Sequence, residues 1–272
     1  NAWREFYVND AGNQIEKFGC SLEARYLQIF KGDEIEFPED GYQGEDIKDL
    51  AKEYADLNGD SLVNVSAEER KKALVDYALP KNIKKMQADM EKYKIFYDKW
   101  FFESELHKSG AVKAVVDLLT KKGLTYEKDG AVWYKNKEVL TQKLLKEGKS
   151  QKYIDNLELK DDVLIRQNGN PTYFTADIAY HKNKFDRGFT TLIDVWGADH
   201  HGHVMRMKGA MDAIGYDGDK LNVVLMQLVK LVKDGELVRM SKRTGKAIQL
   251  GDLLDEVPVD SARFLFNTKE AN

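Results

Sequence analysis

Cysteine occurs once in the 272 residues, at Cys20, so no disulfide can form within the chain and a reducing cytoplasm is the expected compartment. Proline is scarce at 4 residues and glycine is ordinary at 20, which excludes collagen-like and low-complexity chains. No apolar run approaches the roughly 18 residues that a spanning helix needs, so no membrane partner is expected. The opening Asn1-Ala2-Trp3-Arg4-Glu5 lacks the charged-then-apolar layout of a secretion signal. An excess of positive charge is also missing: 42 Lys and Arg face 46 Asp and Glu, for a net charge of −4. That excludes a globally basic nucleic-acid binder and leaves room for a local basic patch. What is present is 42% apolar and 32% charged residues, enough for a packed core in one large or two ordinary domains.

Periodicity predicts a chain that is mostly helical up to about residue 160 and mixed α/β after it. Glu5–Val8 reads as a short strand stopped by Asn9-Asp10-Ala11-Gly12. Ile15, Phe18, Leu22, Tyr26 and Ile29 recur at helical spacing before Gly32, and an acidic connector follows to Gly44. From Glu45 to about Lys121 the signal is helical, with a first stripe ended by Asn58-Gly59, a capping box at Ser66-Ala67-Glu68-Glu69 and a break or kink expected at Pro80. Asp129-Gly130, between Thr125–Lys128 and Ala131–Tyr134, predicts a hairpin, and Asn168-Gly169 predicts a second. Residues 137–153 read as a charged helix or linker. Tyr173–Phe185 reads as a helix, Thr191–Trp196 as a buried strand, His203–Ile214 as a helix and Leu221–Val232 as a β-rich run. Helices are expected over 250–256 and 260–266. Strand, helix, strand, helix is the pattern of a parallel α/β sheet.

Two segments carry chemistry. Gly197-Ala198-Asp199-His200-His201-Gly202-His203 follows an apolar strand, and ligands of a parallel sheet bind at the carboxyl ends of strands. There Gly permits close backbone approach, Asp can accept from a ribose hydroxyl, and His can donate to a phosphate or amide. Arg239-Met240-Ser241-Lys242-Arg243-Thr244-Gly245-Lys246 is strongly basic and holds no acid, the composition of a loop that grips phosphate. The bland alternatives are a metal site for the histidines and a solvated turn for the basic loop. Asp199-His200-His201 also resembles the signature of metal-dependent phosphoesterases. Those enzymes need an upstream Asp-x-Asp, whereas Asp217-Gly218-Asp219 lies downstream in a turn. A third element is Tyr173-Phe174-Thr175-Ala176-Asp177, where Tyr173 and Asp177 share a helix face with Tyr180 and His181. Its bland reading is an exposed pair near a helix N-terminus. Its functional reading is a cation pocket in which a buried carboxylate meets a guanidinium.

Asn9–Gln14, Tyr173–His181, Trp196–His203 and Arg239–Gly245, in that order, resemble bacterial arginyl-tRNA synthetase, a class Ia enzyme. Gly41-Tyr42-Gln43-Gly44 and Asp129–Trp133 add to the resemblance, which spans nearly the whole chain. It implies an α/β fold: a Rossmann-type class I catalytic domain with an incomplete parallel sheet and a largely helical inserted connective domain. By position, 1–31 would be a remnant of the first Rossmann half, 32–160 the insertion and 161–272 the second half. The implied activity is ATP- and Mg²⁺-dependent formation of arginyl-adenylate and transfer of arginine to tRNA(Arg), with no tightly bound cofactor and no metal ligated by the protein. The resemblance also implies a monomer.

Residue by residue, Tyr173 and Asp177 match the positions that hold the substrate guanidinium. Gly197 and Asp199 match those that meet the adenosine ribose, and His200 sits where the reacting substrates are contacted. Met240, Ser241 and Lys242 match the middle of the Lys-Met-Ser-Lys-Ser loop, with Lys242 its catalytic lysine. Arg239 replaces the first lysine, keeping charge but not geometry. Asn9, Asp10 and Ala11 match the side that receives the tRNA 3′ end.

The His-x-Gly-His signature of class I enzymes is absent here, since His201-Gly202-His203 belongs to another motif. In the family it precedes the match to Asn9-Asp10, and the anticodon-reading domain follows the last residues. The expectation is therefore an internal catalytic-core fragment that does not charge tRNA alone. The competing reading is a non-catalytic module that binds arginine, nucleotide or RNA. Within the insertion, 81–99 holds 6 Lys against 3 acids, read as a solvated helix face rather than a tRNA contact.

Overall fold

A computed structural model describes residues 2–229, 231–233, 236–237 and 249–269. The chain divides into two compact units, Asn1–Phe102 with Val229–Lys269 and Glu103–Leu228. In chain order the first unit contributes β1 (Glu5–Val8), α1 (Asn13–Lys31), α2 (Glu45–Asn58), α3 (Ala67–Lys92) and β2 (Lys99–Phe102). The second contributes α4 (Glu103–Lys108), α5 (Ala111–Lys121), β3 (Thr125–Lys128), β4 (Ala131–Tyr134), α6 (Asn136–Lys146), α7 (Gln151–Asn156), β5 (Asp162–Ile165), α8 (Tyr173–Asp186), β6 (Leu192–Gly197), α9 (His201–Ile214) and β7 (Leu221–Met226). The chain then returns to the first unit with β8 (Val232–Lys233), β9 (Glu236–Leu237), α10 (Leu250–Glu256) and α11 (Val259–Asn267). Among the described residues no helix is long and apolar enough to cross a membrane.

In the first unit α1, α2 and α3 close around Phe18, Leu22, Tyr26, Ile47, Leu50 and Leu74. The buried Tyr26 hydroxyl donates to Gly59 O at 2.8 Å and accepts from Leu62 N at 3.1 Å, pinning the turn after α2. Arg70 pins the next loop: its guanidinium donates to the carbonyls of Leu62, Val63 and Val65 and pairs with Glu23 at 2.6 Å. The capping box forms as the sequence predicts, with Glu69 N donating to Ser66 Oγ at 3.3 Å and Ser66 N donating to Glu69 Oε2 at 3.2 Å.

Two expectations are revised in this unit. Of the break or kink expected at Pro80, the break does not occur: α3 runs unbroken from Ala67 to Lys92. Leu74 and Ala78 before the proline and Ile83 after it are all buried, and that packing outweighs the roughly 3 kcal/mol a helical proline costs. Nor is the chain helical throughout 45–121. Lys94, at φ 63°, leaves the helix, and β2 then pairs in parallel with β1, from Glu5↔Lys99 to Val8↔Phe102. The aromatic run around Trp100 favours a strand, and Trp100 packs on Phe6 with ring centroids 4.6 Å apart.

In the second unit, Asp129 and Gly130 both take positive φ, 53° and 73°, as the tight β3–β4 turn requires. Strand β5 adds antiparallel to β4. The second expected hairpin shrinks to one bridge, Ile165↔Pro171, flanked by hydrogen bonds from Arg166 N to Asn170 O at 2.8 Å and from Thr172 N to Leu164 O at 2.9 Å, before the chain enters α8 at Tyr173. Residues 137–153, read as one charged helix or linker, hold α6 and the start of α7. Strands β6 and β7 pair in parallel, from Leu192↔Leu221 to Gly197↔Met226, with α9 as the crossover. The expectation that Thr191–Trp196 is fully buried is corrected. Leu192 is 4% exposed, but Ile193 and Val195 are each 68% exposed, because helices cover only one face of this two-stranded sheet. The β-rich run from Leu221 is a strand only to Met226. Gly209 lets α9 approach α6 closely: a Cβ there would stand 2.6 Å from Leu140 Cδ2.

Candidate active site

Helix α8 is held at both ends, and this fixes where its functional side chains sit. At its start Thr172 Oγ1 donates to Val163 O at 2.7 Å, and Thr175 Oγ1 donates to Leu164 O at 2.8 Å, so the first turn is tied to β5. At the far end the buried His181 Nδ1–H donates to Asp177 O at 2.7 Å, while its Nε2 meets Asp194 Oδ2 on β6. Lys184 donates to the other Asp194 oxygen at 2.7 Å. Burial alone would raise the Asp194 carboxyl, but the His181 hydrogen bond and the charges of His181 and Lys184 hold it far below the ordinary carboxylate range.

Between these clamps lies the pair expected to form a cation pocket. Tyr173 is exposed, and the Asp177 side chain is 35% exposed, so the carboxylate is half-buried rather than buried. His203, from the first turn of α9, donates from Nε2 to Asp177 Oδ2 at 3.0 Å. The His203 ring is fixed by Trp196 at 5.2 Å and by the edge of Phe174 at 5.6 Å, centroid to centroid. His200 lies 6.4 Å from it. The end of β6 and the start of α9 thus converge on the middle of α8, joining the 173–177 and 197–203 motifs across more than a dozen intervening residues.

Asp162, Asp177 and Asp194 border this cluster and differ in their partners. Arg206 binds Asp162 through both Nε, at 3.1 Å, and Nη2, and lies 4.9 Å over the Phe174 ring. Burial raises the Asp162 carboxyl and Arg206 pulls it back only in part. Asp194 holds Lys184 and His181. Asp177 meets only an imidazole, and its Oδ1 accepts no hydrogen bond among the described residues. It is the carboxylate of this cluster still open to an incoming cation.

Gly197 and Asp199 sit where β6 turns into α9. A Cβ at Gly197 would stand 2.5 Å from Asp199 Oδ1, so glycine is what lets that side chain fold back on the strand end. Asp199 and His200 are exposed, with side chains 84% and 57% accessible, and stand 3.9 Å apart. Among the described residues no three His, Cys, Asp or Glu side chains gather closely enough to hold a metal ion. Asn9, Asp10 and Ala11 lie in the first unit, in the turn between β1 and α1, where Asp10 N donates to Val8 O at 3.0 Å. Gly41–Gly44 also belongs to that unit, and Tyr42, Gln43 and Gly44 line a cleft of about 480 Å³ there with Phe18, Asn82 and Gln249. Arg239, Met240, Ser241 and Lys242 lie outside the described residues. Sequence reasoning weighed His203 only as one of three histidines of a candidate metal site, and gave no role to Trp196 or Asp194. The signal for the first two was their place inside the 196–203 motif; for Asp194, a charged residue inside an apolar strand.

A family model for the catalytic domain of the arginine-specific class I tRNA synthetases matches residues 43–272. The arginine–tRNA ligase of Ruminiclostridium cellulolyticum is 55% identical over 271 residues, which are 99% of this chain and 45% of that protein. That of Caldanaerobacter subterraneus is 57% identical over 270 residues, again 45% of its length. The chain therefore spans less than half the length of these curated relatives. A Campylobacter jejuni crystal structure described as a candidate arginyl-tRNA synthetase superposes with a TM-score of 0.80 at 36% identity, over 98% of this chain and 54% of that one. The Thermus thermophilus arginyl-tRNA synthetase shares the fold alone, at 18% identity and a TM-score of 0.57 over 93% of this chain and 45% of that one. With its α8 clamp and the β6–α9 motif in a class I catalytic fold, the chain belongs to the arginine-specific class I tRNA synthetase family.

Proposed function

We propose that this chain forms the arginine- and ATP-binding part of an arginine–tRNA ligase. The observation that carries the reading is Asp177, half-buried, paired with no Lys or Arg among the described residues and open at Oδ1, beside the exposed Tyr173. A guanidinium offers parallel N–H donors that match a carboxylate in fork geometry, which an ammonium cannot do. In this reading Tyr173 and Asp177 hold the arginine side chain, with His200 at its reacting end. Gly197 and Asp199 take the ATP ribose, and Arg239, Met240, Ser241 and Lys242 take its phosphates.

The arginine carboxylate attacks the α-phosphorus of ATP, which enters as its Mg²⁺ complex, and pyrophosphate leaves. Lys242 is the catalytic group that stabilises the charge growing on the phosphates. The terminal hydroxyl of tRNA(Arg), guided in part by Asn9, Asp10 and Ala11, then attacks the arginyl carbonyl and AMP departs. Residues 1–31 and 161–272 act as parts of the two Rossmann halves, with 32–160 inserted between them as a helical scaffold. The enzyme works in the cytoplasm as a monomer.

Calorimetric titration with L-arginine and L-lysine tests the pocket. The chain is expected to bind arginine at least about tenfold more tightly than lysine, a gap of about 1.4 kcal/mol. Asp177→Ala is expected to abolish arginine binding, and equal affinity for both amino acids sinks the reading. The activity is tested by putting these 272 residues in place of the matching segment of the Ruminiclostridium cellulolyticum ligase. The chimera should charge tRNA(Arg), and Asp177→Ala should cost at least about a hundredfold in kcat/KM. Arginine binding by the chain without charging by the chimera would point to a binding module.

A further inference from the structure

We infer that His203 is a positioning residue that makes Asp177 selective for a planar, forked cation. The inference rests on the arginine pocket proposed above. His203 contacts the Asp177 side chain through one hydrogen bond, Nε2–H to Oδ2 at 3.0 Å. An Asp carboxylate hangs on one methylene, and its Cβ–Cγ torsion is broad unless an oxygen is held. Holding Oδ2 fixes the plane of the group and turns Oδ1 toward the open side, where it accepts no hydrogen bond among the described residues.

The ring that does the holding is itself immobilised. Trp196 packs on it at 5.2 Å, Phe174 meets it edge-on at 5.6 Å, and its side chain is only 15% exposed. Arg206, a helical turn beyond His203, is committed to Asp162 and does not compete for Asp177. Lys184 is committed to Asp194. His203 thus orients Asp177 while no Lys or Arg among the described residues occupies it, and a guanidinium gains from the fixed plane because it needs both oxygens aligned. An ammonium, a point charge with rotating donors, gains little. Orientation therefore becomes discrimination.

The test compares His203→Leu with His203→Gln. Leucine keeps bulk against Trp196 but cannot donate; glutamine places an N–H near the position of Nε2. In titrations of the chain, His203→Leu should lower the arginine-over-lysine affinity ratio by about tenfold through weaker arginine binding, with lysine affinity little changed. His203→Gln should recover the ratio to within about threefold of the parent. An unchanged ratio in His203→Leu, or a Gln variant as unselective as the Leu variant, overturns the inference while the pocket itself stands. A parent chain that does not prefer arginine removes the pocket, and this inference with it. Equal weakening of both amino acids in both variants, which leaves the ratio unchanged, assigns His203 a packing role only, which also overturns it.

Discussion

Asp194 shows how strongly a single carboxylate can be committed. Its side chain is 10% exposed, enclosed by His181 and Lys184, and its carboxyl is held far below the ordinary value. A carboxyl lowered on folding contributes stability that is complete above its unfolded value, about 3.9, and is lost as pH falls from there toward the folded value. Asp194→Asn should therefore cost about 3 kcal/mol at neutral pH, since it leaves a buried lysine without its counter-charge. The gap between parent and variant should narrow by about 1 kcal/mol at pH 3, where the parent has begun to lose this contribution. Urea denaturation of both proteins at the two pH values measures it, and a gap that widens in acid contradicts the assignment. His181 bridges this residue to the backbone of Asp177, so the same variant should also loosen the pocket and weaken arginine binding.

Among the elements, α3 conflicts most openly with local preference. Pro80 removes one helical hydrogen bond and crowds the carbonyl of Asp76, yet the helix continues because its buried stripe resumes at Ile83. Pro80→Ala should accordingly raise stability by about 1–3 kcal/mol, read as a higher urea midpoint with an unchanged slope. No gain would mean that the packing of α3 depends on the backbone the proline imposes. Helix α8 is the opposite case: its sequence pattern, its tie to β5 through Thr172 and Thr175 and its tie to β6 through His181 all agree. Local agreement of that kind places Tyr173 and Asp177 with little freedom.

At the scale of the whole chain, the β6–β7 sheet presents Ile193, Val195, Val224 and Met226 on an open face. A contiguous apolar surface of this sort binds hydrophobic dyes and promotes association. The 272-residue chain should enhance the fluorescence of an anilinonaphthalene sulfonate dye, and Ile193→Lys with Val195→Lys should cut that signal by at least about half with little change in melting temperature. A signal unaffected by both substitutions would place the accessible apolar surface elsewhere. In the first unit the corresponding pair, β1 and β2, brings Phe6 and Trp100 into a cluster with Tyr97 and stacks Tyr7 on Phe101.

Much of the molecule is written locally. The stripe from Phe18 to Leu27, the capping box at Ser66, the Asp129-Gly130 turn and the strand–helix–strand order from 192 to 226 follow from spacing and turn chemistry, which act over a few residues. The motifs at 173–181 and 196–203 likewise mark the site through residue type and order alone. Strand β2 was not legible, because a strand exists by virtue of its partner, and β1 lies some ninety residues away. Nor was the open face of β6: Leu192, Ile193, Val195 and Trp196 look alike in sequence whether one side of the strand or both are covered. The state of Asp177 belongs to the tertiary structure as well. Only when α9 folds against α8 does His203 reach one of its oxygens, and only when Arg206 and Lys184 find Asp162 and Asp194 does Asp177 remain as the carboxylate without a Lys or Arg partner among the described residues. Residue types and their spacing set which groups were available; the distribution of partners among three nearby acids depended on distances that only packing could fix.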